Sequence, residues 1–222
     1  MSMGMSASPP PIAAGEIRSW KLPAMMTVAG GVAGLLIVLS YQATLPRIEH
    51  HKAEVMREAV QEVLKAPHTF DTLYLVDGAL TKTLPAQANL RKTEKIFLGR
   101  DAAGKRIGFA ISASENGFQE PITVMFGYDA GARSVIAMKV VANKETPGLG
   151  DKIEKDTVFV HDFDGAAAPL AGVKKGSGSG RSSEIQMITG ATISSRAVIQ
   201  IINNAIARWQ PLMDAYREEG SP

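Results

Sequence analysis

From Leu22 to Pro46 the chain runs for 25 residues without a charged side chain, with Val32-Ala33-Gly34-Leu35-Leu36-Ile37-Val38-Leu39 at its centre. About 20 apolar residues suffice for a helix to cross a bilayer. Gly30, Gly31 and Gly34 suit a membrane helix better than a buried core helix, because small residues allow close helix contacts there. Trp20 and Tyr41 bracket the run as interfacial aromatics do. A cleaved signal peptide fits poorly, since bulky Tyr41 stands two residues before Ala43, the best small-residue stop. The expected organisation is therefore a disordered cytoplasmic tail over 1–21, an uncleaved transmembrane helix over 22–46, a linking helix over 47–67, a folded domain over 68–216 and a frayed end over 217–222. Charge alone leaves the orientation open. Arg18 and Lys21 precede the span, and Arg47, Lys52 and Arg57 follow it.

At 222 residues, one domain plus a membrane segment is the simplest division. The chain has no cysteine, which excludes disulfides, thiolate metal sites, an iron–sulfur cluster and a cysteine nucleophile. A formal charge of +2 speaks against a nucleic-acid partner, which calls for a concentrated basic face. His50 and His51 are adjacent and so do not share a helix face. With His68 and His161 they form no zinc-hydrolase pair, and no Gly-x-Ser-x-Gly elbow is present. No metal site and no set of catalytic residues is expected.

Beyond the span, Val55, Met56, Ala59, Val60, Val63 and Leu64 recur at near-helical spacing and predict a helix ending before Pro67. Residues 68 to 142 change character. Short β-type runs at 72–76, 95–99, 106–112, 122–128 and 134–141 are separated by turn signals such as Asp77-Gly78 and Asp101-Ala102-Ala103-Gly104. That pattern predicts an antiparallel sheet with helices before and after it, an α+β domain. Helix and strand stay open over 151–160, and Lys174 to Ser183 reads as a flexible, solvated loop by composition.

The chain's most informative stretch is Ile185 to Trp209. Val198, Ile201, Ile202, Ala205, Ile206 and Trp209 form the stripe of an amphipathic helix. Ser194 or Ser195 stands where an N-cap is expected, and Ile185, Met187 and Ile188 form an extended approach. Thr189-Gly190-Ala191-Thr192-Ile193-Ser194-Ser195 is then a small, hydroxyl-rich strand-to-helix turn without an acid. The unpaired N–H groups of a first helical turn favour anions, phosphate above all. An ordinary serine cap after a tight turn satisfies the same residues.

Thr189 to Ser195 resembles the S/T-G-A-T-x-[ST]-[ST] signature of the FMN-binding domain family, found in the G subunit of the Rnf electron-transport complex and the C subunit of sodium-translocating NADH:quinone reductase. A second motif, Glu145-Thr146-Pro147-Gly148-Leu149-Gly150, is similar to the E-T-P-G-L-G segment of the same family. The G subunit is the nearer match, over roughly residues 20 to 212. The resemblance implies FMN held covalently by a phosphoester to Thr192, with Thr189, Gly190, Ala191, Ser194, Ser195, Glu145, Thr146, Gly148, Leu149 and Gly150 around it. Glu115 to Ile122 resembles a third family segment, with Glu120 where glycine is usual. Its Phe118 either covers the flavin ring or is a packed turn aromatic. Lys144, where the family often has histidine, is either a cation for reduced flavin or a surface lysine.

The implied role is a membrane-anchored electron relay, a redox subunit and not a stand-alone catalyst. Its partners are the other membrane and redox subunits of an ion-translocating ferredoxin:NAD oxidoreductase, with a flavin transferase for maturation and the domain on the periplasmic side of the inner membrane. One position departs from the pattern. The aspartate usual six residues before the modified threonine is Gln186 here. The alternatives are a C-type quinone-reductase subunit, a non-redox module binding a phosphate ligand, and a structural subunit that has lost its flavin.

Overall fold

A computed structural model describes residues 20–84 and 93–216. Of the tail expected over 1–21, residues 1–19 lie outside the described residues, as does the fraying expected over 217–222, while Lys21 already belongs to helix α1. The chain divides into two units, residues 1–51 and 52–222. The first contains the start of helix α1 (Lys21–Val63). Its best 18-residue window has a mean hydropathy of 2.1 and none of it is buried within the protein, so this helix is long and apolar enough to cross a membrane. The sequence divides it at Pro46 into a span and a linking helix; the structure runs it through Pro46 as one element. A proline deletes one bond of the helical ladder. Propagation on both sides is favourable once a helix is nucleated, and the ladder continues past the gap.

Within the second unit, α1 ends by turning sharply. Lys65 and Ala66 adopt positive φ (55° and 60°), and the Ala66 amide donates back to the Gln61 carbonyl at 2.7 Å. Six strands then form one antiparallel sheet: β1 (Thr69–Val76), β2 (Ala79–Thr81), β3 (Lys95–Arg100), β4 (Arg106–Asn116), β5 (Pro121–Asp129) and β6 (Ser134–Ala142), in the order β2-β1-β3-β4-β5-β6. Turn chemistry sets the register. Asp77 and Gly78 both have positive φ (48° and 81°), as a two-residue type I′ hairpin requires. Asp101 Oδ1 accepts the amides of Ala103 and Lys105 at 2.9 and 2.8 Å, and so closes the β3–β4 turn.

Side chains alternate across the sheet, and both faces are covered. Ile96, Leu98, Phe109, Ile111, Val124, Phe126 and Tyr128 point to the larger core. Phe97, Ala110 and Met125 point to the other face, where Ala59, Val60, Val63 and Leu64 at the end of α1 cover them. The approach is close enough that a Cβ at Gly99 would sit 2.6 Å from Leu64 Cδ1.

The larger core is closed by α2 (Lys152–Lys155), α3 (Thr157–His161), the two-stranded parallel sheet β7 (Ala171–Lys174) with β8 (Glu184–Met187), and α4 (Thr192–Ala215). The stripe expected on α4 is the buried one: Val198, Ile201, Ile202, Ala205, Ile206 and Trp209 all lie inside. Residues 151–160, open between helix and strand in the sequence, hold two short helices separated by extended Asp156, which caps α3 by accepting from Val158 N and Phe159 N. The parallel pair is joined by a connection shorter than the usual crossover. Its loop is wrapped on the Glu184 carboxylate, which accepts from Ser179 N and Oγ, both at 2.6 Å, and from Gly180 N at 3.1 Å.

Candidate functional site

The turn from β8 into α4 is built on Ser195. Its Oγ accepts the Ile188 amide at 3.1 Å and donates to the Ala191 carbonyl at 2.9 Å, and the residue is fully buried. The cap expected at Ser194 or Ser195 is therefore corrected. The helix begins at Thr192, Ala191 stands at the N-cap, and no side chain caps it. Both serines lie within the first turn because Gly190, at φ 84°, reverses the chain earlier than a serine cap requires. Among the described residues no side chain accepts from the first amides of α4. Thr192 is half-buried, with Oγ1 3.4 Å from the Ile188 carbonyl.

The second motif comes from the loop after β6. Thr146 to Gly150 forms a tight turn in which the Leu149 and Gly150 amides donate to the Thr146 carbonyl, both at 3.1 Å. Glu145 is 4 % exposed. Its Oε1 accepts the amides of Phe118 and Gln119 at 2.8 and 3.3 Å, and Oε2 receives Ser194 Oγ at 3.4 Å. Thr146 Oγ1 donates to Gln119 Oε1 at 2.9 Å. One carboxylate thus ties together the β4–β5 turn, the loop after β6 and the start of α4.

These three pieces enclose a cavity of about 320 Å³, at the lower end of the range of small-ligand clefts. Phe118, Glu145, Thr146, Leu149, Gly150 and residues 190–194 line it. Of the residues that the sequence points to, Thr189, Lys144, Gly148 and Ser195 are outside this lining. Thr189 and Lys144 are exposed, and the Ser195 hydroxyl is engaged within the turn. Ile193 joins the lining, a residue the motif leaves unspecified; its one signal in the sequence is an apolar side chain off the buried stripe of α4. Phe118, Leu149 and Ile193 are 59 %, 52 % and 55 % exposed, an apolar rim that folding leaves uncovered. Phe118 is thus not a packed turn aromatic. Just beyond Gly150, Asp151 is 8 % exposed; Lys155 binds its Oδ2, and Oδ1 has no hydrogen-bond partner among the described residues. Lys155 holds this carboxyl below its ordinary value against the opposing effect of burial.

Gln186 is exposed on β8, and its amide donates to Asp162 Oδ2 at 2.9 Å. A second cavity of about 330 Å³ lies between β3, β4 and the later turns of α4. Across it Arg208 pairs with Glu94, and the Asn204 amide donates to the Glu115 carboxylate at 3.0 Å. Among the described residues no group of acids and histidines is placed to hold a metal.

Residues 117–207, which contain all three pieces of the first cavity, match the FMN-binding domain family. The G subunit of the ion-translocating oxidoreductase complex of Pseudomonas aeruginosa is 31 % identical over 191 residues, covering 82 % of this chain and 83 % of that protein. This chain belongs to the G-subunit family of ion-translocating oxidoreductase complexes. The G subunit of the Na(+)-translocating ferredoxin:NAD(+) oxidoreductase complex of Acetobacterium woodii is 28 % identical over 198 residues, covering 87 % of this chain and 92 % of that one. The crystal structure of NqrC from Shewanella oneidensis shares the fold with a TM-score of 0.64, covering 75 % of this chain and all of that one at 14 % identity. Likeness to the C-type subunit is thus one of fold, whereas likeness to the G subunits extends through the sequence.

Proposed function

We propose that this G-type subunit carries FMN through a phosphoester bond to Thr192 Oγ1 and relays electrons between redox subunits of an Rnf-type complex that moves ions across a membrane. One observation carries the reading: two motifs about 40 residues apart, Glu145–Gly150 and Gly190–Ser194, line a single cavity with Thr192 at its edge. The residues present fit the group. The uncapped start of α4 offers amides of the first turn to a phosphate. Phe118, Leu149 and Ile193 offer apolar surface to a ring system.

FMN, when bound, supplies exchange between two-electron and one-electron transfer, and the protein sets its position and potential. Thr192 Oγ1 would hold the phosphate through a phosphoester bond, the linked chain carrying FMN less one water. Gly190 and Ala191 permit close backbone approach, Thr146 and Gly150 shape the opposite wall, and Gly148 supports the turn that carries them. Lys144, exposed beside that wall, adds positive charge at the entrance. The tether prevents loss of the cofactor and leaves the ring's outer edge to partner subunits. A flavin transferase installs the group. α1 anchors the chain in the inner membrane with residues 68–216 on the periplasmic side.

The test is the intact mass and in-gel fluorescence of denatured protein from a host that contains the transferase. The wild type and Thr189→Ala gain FMN less one water, whereas Thr192→Ala gains nothing. An unmodified wild type overturns the covalent reading and leaves a binding or structural subunit. The chain lacks cysteine, so Lys175→Cys labelled by an impermeant maleimide on intact spheroplasts reports the side of the domain directly.

A further inference from the structure

The cavity that is proposed to hold an electron-accepting cofactor contains one ionisable side chain in its lining, and that side chain is an acid. Glu145 is almost wholly buried, and no lysine or arginine pairs with it among the described residues. Both of its oxygens are turned to the protein's own donors, the amides of Phe118 and Gln119 on one side and the Ser194 hydroxyl on the other. Two glycines fit around it. A Cβ at Gly150 would lie 2.7 Å from Oε2, and one at Gly117 would collide with Oε1. Three donors hold the carboxylate in place, two of them backbone amides, and no basic side chain is in the cavity lining.

We infer that Glu145 is the positioning residue of this site, latching the Phe118 turn to the start of α4, and the fixed negative charge that holds the bound flavin at a lower reduction potential. The inference rests on the flavin reading above. Reduction adds electron density to the ring system, and a nearby fixed anion in a poorly screened pocket opposes it. The two roles separate by substitution. In Glu145→Gln the amide oxygen still accepts from Phe118 N and Gln119 N, and Nε2 can donate to Ser194 Oγ, so the latch stays while the charge goes. In Glu145→Ala both are lost.

The experiment is a redox titration of the flavinylated full chain with amide hydrogen exchange at Phe118 and Gln119, on wild type, Glu145→Gln and Glu145→Ala. Glu145→Gln is expected to keep wild-type amide protection and to show a raised midpoint potential in its flavinylated fraction. Glu145→Ala is expected to exchange both amides at least about tenfold faster, the effect of losing a hydrogen bond to a charged acceptor. A wild-type potential in Glu145→Gln overturns the charge role, and wild-type protection in Glu145→Ala overturns the latch. Wild-type protein without flavin by mass overturns the flavin reading and the charge role with it. Flavin present with an unmoved potential sinks this inference alone.

Discussion

At Gly150 a single hydrogen in place of a side chain decides whether the site closes. An added Cβ would lie 2.6 Å from Glu145 Cβ and 2.7 Å from Oε2, well inside contact distance, and the opposing atoms belong to a buried, hydrogen-bonded carboxylate that cannot swing away. Overpacking of this kind costs about 1–3 kcal/mol. Gly150→Ala is therefore expected to lower stability by that amount in a thermal or denaturant melt and to reduce covalent flavin content. Gly148→Ala tests a different constraint. Space around Gly148 is open, but its φ is 79°, so the cost there is backbone strain of about 1 kcal/mol. Equal flavin loss in both variants, without a difference in stability, would contradict a packing role for Gly150. The role of Glu145 is not legible in the sequence, since its partners lie 26, 27 and 49 residues away and no local pattern encodes them. The N-cap is misread for a similar reason: Ser195 looks like a capping residue, but its hydroxyl is spent on Ile188 and Ala191.

The elements themselves are more legible, because their signals are local. Ile96-Phe97-Leu98 alternates between two covered faces, Asp77-Gly78 has the backbone that a tight hairpin needs, and the α4 stripe repeats with the helical period. Strand β7 is not legible: Ala171-Gly172-Val173-Lys174 carries too little β-propensity to announce itself, and it exists by pairing in parallel with β8. What holds that pair's loop is Glu184, and this makes the loop sensitive to acid. Hydrogen bonding from the Ser179 hydroxyl, then from the Ser179 amide and from Arg181, holds the Glu184 carboxyl below its ordinary 4.5, against the opposing effect of burial. A lowered folded-state value means that the contribution is present above 4.5 and is lost as pH falls through the depressed value. Melting temperature followed from about pH 6 to about pH 3 should therefore fall more steeply for wild type than for Glu184→Gln, which has no charge to lose. Parallel curves would show that Glu184 contributes nothing to acid sensitivity.

For the domain as a whole, the sheet needs two coverings, and one of them comes from a helix that begins as an apolar span. The larger face is closed by elements that follow the sheet in sequence, α2 to α4 with β7 and β8. The smaller face is closed by residues near the end of α1: Ala59, Val60, Val63 and Leu64 are each at most 1 % exposed against Phe97, Ala110 and Met125. A Cβ at Gly127 would collide with the Val63 carbonyl, so the end of the helix packs directly on the strand's backbone. Burial of each valine or leucine contributes roughly 1.5–3 kcal/mol. Three of them contribute on the order of 5–9 kcal/mol, against a total stability of about 5–15 kcal/mol for a domain. The domain boundary for folding therefore lies within the helix and ahead of its last turns, not at the sheet's first strand. Residues 52–222 are expected to unfold cooperatively as a soluble fragment. Residues 65–222 are expected to lose cooperativity and to bind a hydrophobic dye through the bared faces of Phe97 and Met125. A sharp melt for the shorter fragment, at the temperature of the longer one, would mean that the sheet does not depend on α1.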